Sequence, residues 1–194
     1  RDWDYRWGLT SVPNSLAALW AEDLRQWTLD HSEGDPRTLY DRMAAASPDV
    51  QLTLLAGVVK RLDRDFGTWR TPWGDINRLQ RLTGAITQDF SDAAPSIAVP
   101  FSSARWGSLA SFGARAYPGT RKWYGTSGNS FIAAVEFGDR VHAKAVSVGG
   151  ESGDPASPHF NDQSALYAAG ALRPVYFYPD ELARHVERRY RPGQ

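Results

Sequence analysis

Cysteine is absent from this 194-residue chain, which excludes disulfides, thiolate nucleophiles and cysteine-ligated metal sites. An excess of either charge is also absent, because 22 lysines and arginines balance 22 aspartates and glutamates. The basic side chains are scattered among acidic ones, so the sequence predicts no nucleic acid partner. No apolar run is long enough to cross a membrane, and no membrane partner is expected either.

Apolar residues make up 42% of the chain and eight residues are tryptophan, which is enough for one domain with a substantial core. The opening sequence RDWDYRW lacks a methionine, which indicates a processed or excised piece of a longer protein. The alternating Trp3, Tyr5 and Trp7 predict a short extended segment. Their rings form either a platform for a flat ligand or, in the interpretation that we favour, packing contacts with other parts of the protein.

Residues 1–67 are predicted to be mainly helical. Apolar residues recur at helical spacing from Asn14 to about Leu29, which predicts a first helix with one buried stripe. Asp35-Pro36 and Ser47-Pro48 each supply a capping side chain and a first-turn proline, so a second helix through about Ala45 and a third helix are expected. The third helix is predicted to bury Leu52, Leu55, Val59, Leu62 and Phe66 and to point Lys60, Arg61, Asp63 and Arg64 into solvent.

Residues 68–123 are predicted to be a loop-rich segment that wraps over a partner surface. After a turn rich in proline, glycine and tryptophan, Asp75 is expected to cap a short helix that runs through Leu82. Short strands are expected near residues 97–101 and 108–114, because a structureless connection of this length is unusual within a compact domain.

Residues 124–194 carry the clearest strand pattern of the chain. Two alternating runs on either side of Gly138-Asp139 predict a β-hairpin, and its largely apolar faces predict that it is covered on both sides. A loop rich in glycine, serine and proline follows, then a short helix near residues 162–169 and a strand at 174–178. Pro179 starts a predicted terminal helix with Leu182, Val186 and Tyr190 facing inward.

Two familiar hydrolase sites are poorly matched. Ser127 and Ser152 lie in GTSGN and GESGD, but a nucleophile elbow requires Gly-x-Ser-x-Gly, and here the second glycine comes one place early. His159 and Asp162 are the histidine–acid pair with a spacing that suits a metal. We favour hydrogen bonds that fix the loop as the role of His159, and we predict no metal and no other cofactor.

The glycine-rich run at residues 149–153 has two interpretations. Its backbone amides favour a nest for an anion, but Glu151 and Asp154 would repel a phosphate. The run also matches neither the P-loop nor the dinucleotide-binding pattern. A hydrogen-bonded structural loop is the interpretation that we favour.

Five segments together carry a likeness to a known family: GTSGNSFIAAVEFG, GGESGDPASPHFNDQ, PVYFYPDELARHVERRYRPG, PWGDINRLQRL and VPFSSARWGSLASFGARAYPG. They resemble the C-terminal part of the large chain of the penicillin amidase family, which includes penicillin, cephalosporin and acyl-homoserine-lactone acylases. The likeness runs from about Trp69 to the end, and more loosely back to Arg1.

The resemblance implies an α+β fold, the C-terminal portion of the αββα sandwich of an N-terminal-nucleophile hydrolase, with a helical first third, a mainly antiparallel sheet segment and a terminal helix. In such enzymes the freed N-terminal serine of the large chain attacks an amide, with its own α-amino group as base. Arg1 cannot play that part. The family's nucleophile, the nearby histidine and the oxyanion asparagine match no residue of this sequence.

The resemblance therefore implies an inactive fragment that completes the fold of a periplasmic or secreted bacterial acylase. Its partner is expected to be the N-terminal remainder of the same precursor. The substrate of the complete enzyme is expected to be an amide between an acyl chain and a small amine, as in a penicillin or an acyl-homoserine lactone. The alternative is a stand-alone module that binds carbohydrate or protein through exposed rings of Trp3, Trp7, Trp69, Trp73, Trp106 and Trp123.

Glu136 is the candidate catalytic residue that the resemblance offers. Some cephalosporin-acylase-like members use an acidic residue late in the large chain to orient the histidine, and Glu136 lies in mid-strand on an otherwise apolar face. Burial of a carboxylate without a partner is costly, so the alternative is an ion pair with Arg140 or Lys144 across the hairpin. A structural loop role is assigned to Ser127, Gly128, Asn129, Ser130, Gly150, Ser152, Gly153, Pro155, Ser157, Pro158, His159, Asp162 and Gln163.

Overall fold

The computed structural model describes residues 3–191 and 193, and the chain divides into two compact units, Arg1–Gly128 and Asn129–Gln194. The first unit contains the long helices and a four-stranded sheet, and the second contains a three-stranded sheet with two short helices. The fold class is α+β, with helices followed by mixed and antiparallel sheets, as predicted. Within the described residues, none of the helices combines the length and the apolar composition that a membrane span requires.

Local capping signals set the helix starts of the first unit. The helices are α1 Val12–His31, α2 Leu39–Ala44 and α3 Pro48–Phe66, with a 3₁₀ turn at Pro36–Thr38. The side chain of Asp35 accepts a hydrogen bond from the amide of Arg37, and that of Ser47 accepts one from the amide of Val50. The starts predicted at the two proline pairs are thereby confirmed.

The buried face of α3 is rotated from the predicted one. Leu62 is 0% exposed and Val58 is also buried, whereas Leu52 is 63% exposed. Arg61, predicted to point into solvent, pairs with Asp23 of α1 at 3.0 Å. Two apolar stripes, 52–55–59–62 and 54–58–62, both have helical spacing and meet at Leu62, so the periodicity alone does not choose between them. Packing against α1 selects the second stripe.

The helix expected from Asp75 to Leu82 is wrong beyond its first turn. Helix α4 covers only Trp73–Ile76, and the chain then enters strand β1, Asn77–Leu79. The side-chain amide of Asn77 donates to the carbonyls of Val99 (2.8 Å) and Phe101 (2.9 Å). Pairing with distant strands therefore overrides the local helical pattern.

The first unit contains a sheet that the sequence pattern revealed only in part. Its strands are β1, β2 Ile97–Ala98, β3 Phe112–Ala116 and β4 Trp123–Gly128, in the order β2-β1-β4-β3. The β1–β4 pair is parallel and the other two pairs are antiparallel. Strands near residues 97–101 and 108–114 are expected, but β1 and β4 are not, because β1 has only three residues and the sequence WYGTSG of β4 lacks an apolar–polar alternation. Since β4 pairs with β1 and β3, the first unit extends to Gly128.

The core of the first unit is built around Trp73. Its ring is buried and lies 5.8 Å from the ring of Trp7 and 6.2 Å from that of Trp123. Leu19 of α1 and Leu62 of α3 belong to the same buried cluster. The favoured packing interpretation is confirmed for Trp7. It is wrong for Tyr5, which is 83% exposed and whose φ of 60° departs from the extended segment that was predicted.

The second unit is organised on the predicted hairpin. Strands β5 Phe131–Glu136, β6 His142–Ser147 and β7 Arg173–Val175 form an antiparallel sheet in the order β5-β6-β7. The expectation that the hairpin is covered on both sides is wrong for β5 within the described residues. Phe131 is 61% exposed, Val135 is 47% exposed and Phe137, just beyond the strand, is 83% exposed.

The C-terminal elements are shorter than predicted. Helix α5 covers Ser164–Ala168, and Gly170 follows it at φ 66°, the left-handed conformation in which glycine commonly ends a helix. Helix α6 covers only Pro179–Leu182, and Leu182, Val186 and Tyr190, predicted to face inward, are all exposed. A long terminal helix needs an apolar surface against which to pack, and these side chains contribute to none here.

Candidate functional site

Glu136, predicted to lie in mid-strand, is instead the last residue of β5 and lies opposite His142 of β6 in the strand register. Its side chain is exposed, and among the described residues it has no ion-pair partner. The guanidinium of Arg140, one of its predicted partners, instead binds Asp180 at 2.8 Å and lies 4.0 Å from the centre of the Tyr178 ring. Glu136 is thus available to a group outside this hairpin.

The first group of predicted loop residues connects β4 to β5. The hydroxyl of Ser127 donates to the carbonyl of Gly113 at 3.4 Å, and the carbonyl of Ser130 accepts from the amide of Val148 at 2.9 Å. Gly128 has φ 120°, a conformation that side chains with a Cβ rarely adopt. Asn129 is exposed. The structure gives these residues turn and strand-end geometry.

The second group, residues 149–163, forms a loop closed by its own hydrogen bonds. The amide of Ser152 donates to the carbonyl of His159 at 3.1 Å, and the amide of Gln163 donates to the carbonyl of Gly149 at 3.0 Å. A Cβ on Gly150 would collide with that same His159 carbonyl, so glycine is required by the close approach of the two backbones. The exposed Gly153, Pro155 and Pro158 and the partly exposed Ser157 form the outer turns of the loop.

Glu151 joins three elements of the second unit through hydrogen bonds that the sequence does not predict. Its carboxylate accepts hydrogen bonds from Gln163 (2.9 Å), Arg173 (2.9 Å) and Ser147 (3.0 Å). These bonds, that from Gln163 most strongly and then that from Arg173, lower the pKa of Glu151. Donors that could have held an external anion are thus occupied by a carboxylate of the loop itself. No spacing in the sequence signals these contacts, because Gln163 lies 12 positions and Arg173 lies 22 positions beyond Glu151.

His159 lies between two carboxylates of the second unit. Its Nδ1 is 2.8 Å from Asp162 and its Nε2 is 2.8 Å from Glu187. The three-position spacing indicates the pair of His159 with Asp162, but no spacing indicates Glu187, which lies 28 positions beyond His159. Among the described residues, no cluster of three or more histidine or acidic side chains has the geometry to hold a metal ion.

A cleft of about 550 Å³ opens in the first unit beside α1 and the β3–β4 pair. Glu22 on its helical side accepts hydrogen bonds from Trp106 (2.7 Å) and Arg105 (3.3 Å). The neighbouring Asp23 is paired with Arg61. Because both carboxylates already have basic or N–H partners, the cleft offers a polar and aromatic surface rather than a free general base.

The aromatic-module alternative required several tryptophan rings exposed in one patch. Trp73 is fully buried and the other seven tryptophans are half-buried, so none of the eight is exposed. The geometry therefore does not support that alternative.

Comparison with known protein families gives one match that covers almost the whole chain. The family described as penicillin amidase matches residues 1–184. No curated protein matches the chain.

Proposed function

The chain belongs to the penicillin amidase family, and from that premise we propose that it is the structural C-terminal portion of an acylase that hydrolyses an amide between an acyl chain and a small amine. Family membership implies hydrolase activity for the complete enzyme. In the proposal, the nucleophile, its histidine and the oxyanion asparagine come from the N-terminal remainder of the precursor. The role of this chain is to complete the sandwich that holds them, and alone it is inactive.

The observation that supports a completing role is the exposed apolar strand β5. It is the outermost strand of its sheet, and Phe131, Val135 and Phe137 around it are large and solvent-exposed. Folded proteins rarely leave an apolar edge strand open, because its unpaired backbone groups and apolar side chains invite association. An edge of this kind is what the remainder of a larger sheet would cover.

The proposal is tested by recombining the two parts. The purified 194-residue chain is assayed alone and after mixing with the separately produced N-terminal remainder, using penicillins and acyl-homoserine lactones as substrates. Amide hydrolysis is expected only in the mixture. Hydrolysis by the chain alone would contradict the assigned inactivity, and hydrolysis by the remainder alone at the full rate would contradict the completing role.

A matched pair of variants tests whether β5 is the surface that binds the N-terminal remainder. Phe131→Lys places a charge on β5 and is expected to weaken recombination, because a charged side chain is costly to bury without a partner. Ile86→Lys places the same charge at a fully exposed apolar position in the first unit and is expected to leave recombination unchanged. Equal effects of the two variants would exclude β5 as the specific surface.

We further propose that Glu136 orients the catalytic histidine of the remainder, for which its exposed, unpaired carboxylate is suited. In the full-length enzyme, Glu136→Gln is then expected to lower kcat by roughly 10²–10⁴-fold with a small change in KM. Loss of the acidic partner should also shift the lower pKa of the pH–rate profile. Asp139→Asn, in the adjoining turn, is the control. An unchanged kcat and pH profile in Glu136→Gln would rule out this positioning role.

The substrate class and the location are part of the same proposal. The panel of penicillins and acyl-homoserine lactones distinguishes the two kinds of amide, because only the preferred acyl group should give a high kcat/KM. A periplasmic or secreted location is proposed from the family and is checked by fractionating cells that produce the full-length protein.

A further inference from the structure

We propose that His159 forms a pH-dependent clasp in the second unit. The clasp holds residues 186–191 against the loop at residues 149–163 while the ring is an imidazolium, and it releases them when the ring loses its proton. This inference concerns contacts within the chain and does not rest on the proposed acylase function.

The geometry requires a protonated ring. Nδ1 of His159 lies 2.8 Å from an oxygen of Asp162, and Nε2 lies 2.8 Å from an oxygen of Glu187. A carboxylate only accepts hydrogen bonds, and a neutral imidazole has a single N–H to donate. Both contacts are therefore hydrogen bonds only in the imidazolium form, and loss of the proton leaves one ring nitrogen facing a carboxylate lone pair.

Residues 186–191 have little else to hold them. They have no regular secondary structure and their side chains are exposed. Among the described residues, the contact between Glu187 and His159 is the one hydrogen bond or ion pair that joins this segment to the rest of the unit. The chain just before it is anchored separately, because the His185 ring stacks on Tyr176 with 3.6 Å between ring centres. Release is thus expected to stop near His185.

The charges around the ring set the direction of the pH dependence. Hydrogen bonds, first with Asp162 of its own loop and then with Glu187 of the segment, raise the pKa of His159. In the part of the chain that the structure describes, these two carboxylates are the titratable groups that face the ring. A raised pKa means that the stabilisation is complete below the ordinary histidine value of about 6.5 and is lost as the pH rises through the raised value. The clasp should accordingly open as the pH rises through the raised pKa of His159.

Limited proteolysis reads the clasp directly, because Arg188 and Arg189 are trypsin sites within the segment. The intact chain is digested at pH 6.0 and at pH 8.5, and cleavage at these sites is normalised to a synthetic peptide of residues 183–191 at the same pH. Cleavage of a native segment follows the population of its open form when reclosing is fast. The side chains of His159 and Glu187 are solvent-exposed, so their ion pair contributes little free energy. The normalised cleavage rate should therefore rise by only roughly two- to fivefold between the two pH values.

Two substitutions separate a clasp from a merely structural histidine. His159→Gln is expected to be cleaved rapidly at both pH values, and His159→Arg, which stays charged, is expected to be cleaved slowly at both. His142→Gln, at an exposed histidine elsewhere in the same unit, should behave like the unaltered chain. The NMR titration of the His159 ring should coincide with a shift of the Glu187 amide. A pH-independent cleavage ratio in the unaltered chain, or pH dependence retained in His159→Gln, would overturn the proposal.

Discussion

Leu62→Ala tests which face of α3 is buried, and Leu52→Ala is its matched control on the same helix. The two leucines belong to one stripe by periodicity, yet Leu62 is 0% exposed and Leu52 is 63% exposed. Leu62 packs in the cluster that contains Leu19 and Trp73. Truncating a fully buried leucine removes its transfer free energy and leaves a cavity, so the free energy of unfolding of the first unit should fall by about 2–5 kcal/mol. The same truncation at an exposed position should change it by about 0.5 kcal/mol or less.

Tryptophan fluorescence is the right probe for this comparison. All eight tryptophans lie before residue 129, so their emission reports the first unit and not the second. Urea unfolding followed by fluorescence gives a midpoint and slope for that unit, which avoids treating the two-unit chain as a single two-state transition. A loss in Leu52→Ala as large as that in Leu62→Ala would show that the stripe through Leu52 is buried and that the described packing of α3 is incorrect.

Two further predictions concern buried or bonded polar groups. Because hydrogen bonds from Gln163 and then Arg173 lower the pKa of Glu151, its stabilisation should be present above the ordinary carboxyl range and lost as the pH falls through the lowered pKa. Glu151→Gln should therefore weaken the hydrogen-exchange protection of the second unit at pH 7. It should also make that protection less sensitive to acid. The same pH dependence of protection in Glu151→Gln and in the unaltered chain would contradict the stabilising role of the carboxylate. Tyr124→Phe removes a buried hydroxyl that donates to Asp92 at 3.0 Å. Urea unfolding should show that the free energy of unfolding of the first unit falls by about 1 kcal/mol. An unchanged free energy of unfolding would show that this hydrogen bond does not stabilise the unit.

In the hairpin, the local pattern predicts the strands correctly but predicts their burial incorrectly. Alternation and the Gly138-Asp139 turn predict β5 and β6, and the two strands pair antiparallel as a hairpin requires, with Glu136 opposite His142. The same apolar alternation predicts that both faces are covered, but Phe131 and Val135 are exposed. Alternation reports which side chains suit burial, and it does not say whether the covering surface belongs to the same chain.

In the candidate site, too, the sequence indicates contacts between nearby residues but not contacts between distant ones. The pair His159 and Asp162 is recognisable because the two residues lie three positions apart, and Glu136 is recognisable only through the family resemblance. Glu151 and Glu187 were not recognisable, because their partners are far away in the sequence: Arg173 lies 22 positions beyond Glu151, and Glu187 lies 28 positions beyond His159.

By itself, the sequence determined the helix starts at Asp35-Pro36 and Ser47-Pro48, the strands of the hairpin and membership of a hydrolase family, because each of these depends on neighbouring residues or on contiguous segments. Only the tertiary structure decided that Asn77 enters a strand, that α3 buries Val58 in place of Leu52, and that Glu151 and His159 gather partners from other elements. Those outcomes depend on which distant surfaces meet, and the free energy of burying or bonding a side chain there exceeds the weak preference of the local chain.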